Sequence, residues 1–267
     1  MARMTLFTHT FGPARNDLPA GTPTVLAIHG LTGHGNRWRF LAADLPEVRF
    51  LAPDLRGHGQ SPWTPPWSFD TNLDGLEDVV ATENPSELVI VGHSFGGALA
   101  MRLAHRLASS AVRVRAVIAL DPAQGLDPQR ALEVATLGLE HWDYADADAA
   151  RSAKRAEGWA LVPDHILDYE IATHLVPNAA GRVQWRVSAP ATATAWSEMA
   201  RPAVTPPAGI PTTIVVADRV DPPFISAQYV ADCGPDVTVL HADCEHMVPF
   251  LEPELVARLI REAIGQP

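Results

Sequence analysis

An apolar run, Leu88-Val89-Ile90-Val91, leads straight into Gly92-His93-Ser94-Phe95-Gly96, and strong helix formers occupy residues 98–104. That order describes a strand turning sharply into a helix, with a serine at the turn. The flanking glycines remove side chains that would collide there, and the serine backbone takes a strained conformation. Its hydroxyl then stands at the rim of a sheet, beside a helix N-terminus that favours negative charge. The pentapeptide alone also fits an ordinary capped turn. Its setting, strand before and helix after, favours a nucleophile.

The rest of the chain predicts a parallel sheet around that turn. Short runs rich in Val, Ile and Leu mark buried strands over 24–28, 49–52, 88–91, 114–120, 212–216 and 237–240. Helical stretches over 38–45, 73–81, 95–108 and 254–264 alternate with them. The alternation predicts an α/β fold, with a doubly wound, mostly parallel central sheet flanked by helices. It stops once. Residues 122–207 read as mostly helical and carry Trp142, Tyr144, Trp159, Tyr169, Trp185 and Trp196; Pro202, Pro206, Pro207 and Pro211 mark their end. The chain therefore divides into a core of residues 1–121 and 208–267 and an inserted helical cap of residues 122–207. The cap would cover the strand ends at which open α/β sheets bind ligands.

A serine attacks only when a base takes its proton, and an acid must orient that base. His246, in Ala242-Asp243-Cys244-Glu245-His246-Met247-Val248-Pro249, follows the last strand and precedes the last helix. A lone loop histidine is more often a solvated surface residue; the chain order Ser, Asp, His favours a base here. The acid is expected in Ala217-Asp218-Arg219-Val220-Asp221-Pro222-Pro223. Asp218 barely clears the strand and suits a turn, so Asp221, deeper in the loop, is the favoured partner. The turn His29-Gly30-Leu31-Thr32-Gly33-His34-Gly35 can present backbone N–H groups, and those of Leu31 and Phe95 would form a two-donor oxyanion hole. A phosphate cradle is the alternative for that turn, but neither GxGxxG nor GxxxxGK[ST] occurs.

These pieces together resemble the α/β-hydrolase fold superfamily, in its capped serine esterase and haloperoxidase-like branch. The resemblance is carried by His29-Gly30, by Asp54-Leu55-Arg56-Gly57-His58-Gly59-Gln60-Ser61, by Gly92-His93-Ser94-Phe95-Gly96-Gly97, by the Asp221 loop and by His246-Met247-Val248-Pro249. It spans nearly the whole chain in the family's order. It implies Ser94 as nucleophile, His246 as base, and Leu31 and Phe95 as oxyanion donors, with no cofactor and no metal. Because some relatives place the acid one strand earlier, Asp121 is an alternative to Asp221 and Asp218. Two departures stand out: Ala217 replaces the glycine usual at the end of the acid strand, and Cys244 replaces one often found two residues before the base. Asp54, Arg56 and His58 are expected to fix their loop, and His93 to support the nucleophile turn. His141, His165 and His174 have no ligand-like spacing and read as solvated or core residues.

The expected function is a serine hydrolase cleaving a carboxylic ester or related small acyl substrate through an acyl-enzyme. C–C bond (diketone) hydrolysis, lactone opening or thioester cleavage could run on the same residues, and a receptor-like ligand-binding protein could retain them. Serine rather than aspartate at the turn speaks against dehalogenase and epoxide-hydrolase chemistry. A net charge of −11 with no cluster of Lys and Arg argues against a nucleic-acid partner. No apolar stretch approaches the roughly 20 residues of a membrane span. Met1-Ala2-Arg3-Met4-Thr5-Leu6-Phe7 lacks the apolar segment of a secretory leader, so a cytoplasmic location is expected. Cys233 and Cys244 have no CxxC neighbour and read as free thiols rather than metal ligands.

Overall fold

The computed structural model describes residues 5–19 and 21–266; Met1 to Met4 of the amino-terminal stretch lie outside them. Along the chain, β1 (Thr8–Phe11) and β2 (Thr24–Ile28) are followed by α1 (Arg39–Ala43), β3 (Phe50–Pro53), α2 (Phe69–Glu83), β4 (Glu87–His93), α3 (Phe95–Leu107) and β5 (Arg113–Leu120). Next come α4 (Pro128–Glu140), β6 (Asp143–Tyr144), α5 (Ala147–Lys154), α6 (Asp164–His174), β7 (Leu175–Pro177), β8 (Val183–Trp185) and α7 (Ala189–Met199). The chain returns through β9 (Thr212–Ala217), α8 (Ala227–Asp232), β10 (Val237–Ala242), α9 (Val248–Leu251) and α10 (Pro253–Ile264).

Seven strands form one sheet in the order β1-β3-β2-β4-β5-β9-β10. β1 joins its edge antiparallel; every other pairing is parallel. Successive side chains of a strand point to opposite faces, and both faces here are covered. Leu26 and Ile28 of β2 and Leu88 and Ile90 of β4 therefore join Leu76 of α2 and Leu99 of α3 in one layer. Val25, Ala27, Val89 and Val91, one residue out of phase, join Leu41 of α1 and Leu259 and Ile260 of α10 in the other. Each such fully buried aliphatic side chain contributes roughly 2 kcal/mol. α10 shows the pattern clearly: Val256, Leu259, Ile260 and Ile264 fall on one stripe, and Gly265 at φ +82° ends the helix. β4 lies at the centre of the sheet, so the chain leaving its C-terminal end emerges between β2 and β5.

The segment between β5 and β9, read as mostly helical, also holds strands that the sequence did not announce. Its four helices are joined by a small antiparallel sheet of order β6-β8-β7, whose strands are two or three residues long. Strands that short give no alternation to read. β1 is also missing from the sequence reading, because Thr8-His9-Thr10 is a polar edge strand. α4 packs on α7, and α7 reaches α3 of the sheet layer. Among the described residues no helix is long and apolar enough to cross a membrane.

Candidate active site

β4 ends at His93, and Ser94 takes φ +56°, ψ −121°, a conformation that side-chain-bearing residues seldom adopt. Its neighbours hold it there. The Ser94 N–H donates to the Leu120 carbonyl of β5 (3.0 Å), and its own carbonyl accepts from Gly97, Ala98 and Ala123 (2.9, 3.2 and 3.1 Å). A Cβ at Gly92 would lie 2.2 Å from the Gly96 carbonyl oxygen, and one at Gly96 would lie 2.3 Å from that of Ile28. Both glycines are thus required by close backbone approach. α3 begins at the next residue, so the Phe95 N–H has no partner within the helix.

His246 lies on the loop between β10 and α9, and its Nδ1 is 2.5 Å from Oδ2 of Asp121, the residue directly after β5. A carboxylate only accepts, so Nδ1 carries the hydrogen and Nε2 keeps a free lone pair. Asp121 is 1% exposed and adopts φ +40°. Its Oδ1 accepts from the Ala217 N–H at the end of β9 (3.2 Å), and its own N–H donates to the Val215 carbonyl (2.7 Å). The favoured partner, Asp221, is not the carboxylate at the histidine: it is exposed and makes no ion pair among the described residues. Asp218 instead bonds His241 on the surface (2.7 Å). The physical reason is reach. β5 sits between β4 and β9, and its end delivers a buried carboxylate to the histidine, whereas the loop after β9 carries Asp218 and Asp221 into solvent. What that loop contributes is Phe224, whose ring lies 4.4 Å from that of His246.

His93 steadies the histidine loop from the opposite side. Its Nε2–H donates to the His246 carbonyl (2.7 Å). Burial, then the neighbouring His246, push its pKa well below the ordinary value, so it stays neutral. On the turn after β2, the Leu55 N–H donates to Nε2 of His29 (2.9 Å), and Nδ1–H donates to the Gly30 carbonyl (2.7 Å). Burial, then His58, depress His29 likewise. The Leu31 N–H makes no hydrogen bond among the described residues, and neither does that of Phe95. Asp54 ties this turn to the one after β3, accepting from Gly35 N–H (2.7 Å), Gln60 N–H (2.8 Å) and His9 Nε2 (3.2 Å). Burial alone would raise its pKa, but the His9 and Gln60 bonds outweigh it and hold the carboxyl at about 2. Arg56 donates to the Pro66 and Thr64 carbonyls, and His58 contacts the Arg56 carbonyl.

Ser94, His246 and Leu31 line one cavity of about 500 Å³. Arg37, His93, Phe224 and Met247 of the core complete one side, and the segment between β5 and β9 supplies the other, including Leu137 and His141 of the α4 end, Lys154, Trp159, Trp185 and Trp196. Of the remaining histidines, His165 packs edge-on against Phe40, and His174 is buried against His34 with ring centroids 3.9 Å apart. His34, Glu170 and His174 offer metal-type donor atoms within 4.8 Å of one another. The Arg37 guanidinium already holds both oxygens of Glu170, and His34 Nε2 lies 2.9 Å from one of them. A cation would have to compete with that fixed positive charge; the cluster serves to join α6 to the turn after β2. Asp121 was within reach of sequence reasoning, because it ends the strand next to the nucleophile strand. Phe224, Arg37 and Lys154 gave no local signal.

The alpha/beta hydrolase family model matches residues 25–259. The chain belongs to the alpha/beta hydrolase family. Lipase LipV of Mycobacterium tuberculosis is 45% identical over 251 residues, covering 92% of this chain and 95% of that protein. The crystal structure of E-2-(acetamidomethylene)succinate hydrolase aligns with a TM-score of 0.78 at 20% identity, covering 99% of this chain and 96% of the other. A thioesterase domain from the curacin biosynthetic pathway aligns with a TM-score of 0.71 at 22% identity, covering 95% and 93%. The two structural likenesses show the shared alpha/beta hydrolase fold, and family membership with a lipase relative makes the chain a hydrolytic enzyme of this class.

Proposed function

We propose that the protein is a serine carboxylic-ester hydrolase that works through an acyl-enzyme on Ser94. The observation carrying this reading is the bond of His246 to the buried Asp121, which leaves the His246 Nε2 lone pair free beside a cavity that also holds Ser94. Ser94 Oγ attacks the ester carbonyl as His246 takes its proton. Asp121 keeps the imidazole in the needed tautomer and stabilises the imidazolium. The unengaged Leu31 and Phe95 N–H groups receive the oxyanion, each worth about 3 kcal/mol in the transition state. His246 returns the proton to the leaving alcohol, then activates water to release the acid. Residues 122–207 act as a cap that shapes the acyl pocket, a role supported by their share of its walls. The 45% identity to a lipase favours ester bonds over the diketone, lactone and thioester alternatives. Ser94→Ala is expected to lower turnover of nitrophenyl butyrate by about six orders of magnitude, with an unchanged far-ultraviolet circular dichroism spectrum. Undiminished hydrolysis by that variant refutes the reading.

A further inference from the structure

Lys154, the last residue of α5, is 2% exposed and lines the same cavity as Ser94 and His246. Its ammonium stands over the rings of Trp185 (4.6 Å) and Trp159 (5.0 Å), and no oxygen among the described residues accepts a hydrogen bond from it. An ammonium carries three donors and no acceptor, and burying it unpaired is strongly unfavourable. Indole faces offset part of that penalty but satisfy none of the donors directionally.

The charged groups around it are committed elsewhere. Glu170 of α6 is held by Arg37 and His34. Glu157, on the kinked turn Arg155–Trp159, also lines the cavity, but it is exposed and forms no ion pair with Lys154. His174 of α6 is kept neutral by burial and then by His34, and burial pushes the Tyr144 hydroxyl of β6 up, so it too is uncharged. Arg37 and Glu170 cancel, leaving Lys154, among the described residues, as the one buried charge without a bonded partner; Glu157 is the remaining carboxylate of the cavity lining and faces solvent. A purely apolar acyl chain filling this cavity would dry the ammonium without pairing it. A carboxylate would supply the missing acceptors through charge-assisted hydrogen bonds.

We propose that Lys154 is the anion-recognising residue of this cavity, and that the substrate cleaved at Ser94 carries a carboxylate at the end of its acyl chain, seated against the ammonium between Trp159 and Trp185. The inference rests on Ser94 being the nucleophile and names the substrate class for that reading. Burial foremost, with Arg37 adding, lowers Lys154 to about 8 against the pull of Glu170 and Glu157, so the residue is charged at neutral pH. Preference for the anion is expected to be complete below that value and to fade as pH rises through it.

The test compares nitrophenyl monoesters of succinic, glutaric and adipic acids with their neutral methyl-capped counterparts, with Ser94→Ala as the blank. At neutral pH the best anionic ester is expected to exceed its neutral counterpart in kcat/KM by about 10- to 100-fold. Lys154→Met is expected to bring that ratio close to one, and Lys154→Arg to restore part of it. A ratio near one in the unaltered enzyme, or a ratio that survives Lys154→Met, overturns the proposal. A readout independent of turnover uses the two indoles: glutarate should change tryptophan emission saturably in Ser94→Ala while glutaramide does not, and the change should vanish when Lys154→Met is added. Absence of any glutarate-dependent change overturns the anion site even if esters are cleaved. Loss of Ser94-dependent hydrolysis with the glutarate response intact removes the esterase reading alone. Lys154→Gln replaces Lys154→Met in both arms if the latter fails to fold.

Discussion

Ser94 at φ +56° and Asp121 at φ +40° stand directly after the paired ends of β4 and β5, where His93 lies opposite Leu120. Non-glycine residues in such conformations cost about 1–3 kcal/mol each and persist only where surrounding bonds fix them. Both are fixed by backbone hydrogen bonds to the neighbouring strand, Ser94 to Leu120 and Asp121 to Val215. Ser94 and Asp121 therefore share one rigid sheet edge. Asp121→Asn, which removes the acceptor that sets the His246 tautomer, is expected to lower kcat by about 10³- to 10⁴-fold. Asp221→Asn should stay within about twofold, as for an exposed side chain with no partner. Steady-state kinetics on one neutral ester decide the matter, and equal losses from the two variants would discard Asp121 as the acid. Ser94 and His246 stood out as candidates because a five-residue pattern and the chain order point to them. Asp121 was less so, since a carboxylate after a strand looks like any turn residue and two aspartates in the later loop fit the expected order equally well.

At the scale of elements, the parallel strands were legible from their unbroken Val, Ile and Leu runs, within a few residues of the observed ends. The small sheet β6-β8-β7 was not, because its form depends on packing within the insertion. The junction between that insertion and the sheet was also invisible. Glu170 on α6 meets Arg37 and His34 from 133 and 136 residues earlier, fully out of water. Burial opposes its ionisation, but Arg37 and then His34 overcome this and hold it well below the ordinary carboxylate pKa. Breaking such a pair from one side strands the other charge. Glu170→Gln is expected to destabilise the protein by roughly 3–5 kcal/mol, read as a lower urea midpoint. A change under about 1 kcal/mol, the scale of a surface pair, would show that the contact is not a buried one in solution.

For the whole molecule, acid sensitivity follows from Asp54, which clips the turn after β2 to the turn after β3. Its folded pKa of about 2 lies below the ordinary 3.8, so the unfolded chain takes up its proton first as pH falls. The clip then contributes roughly 2 kcal/mol, fully present above the ordinary value and lost as pH drops through about 2. Urea midpoints of the unaltered protein and Asp54→Asn should converge over that window; a gap independent of pH would contradict it. Net charge and composition described a globular protein without hinting at the buried cation in its cavity, because burial of Lys154 is a property of the assembled insertion. The route of the chain after β9 has one more consequence. Since His246 bonds a carboxylate carried by β5, the proposed chemistry draws on no side chain of residues 220–223, while Arg219 just before them holds the histidine loop at Asp243 and Cys244. The short arc of residues 221–223, exposed and beyond the Arg219 anchor, is where an engineer could splice new recognition sequences for bulkier alcohols.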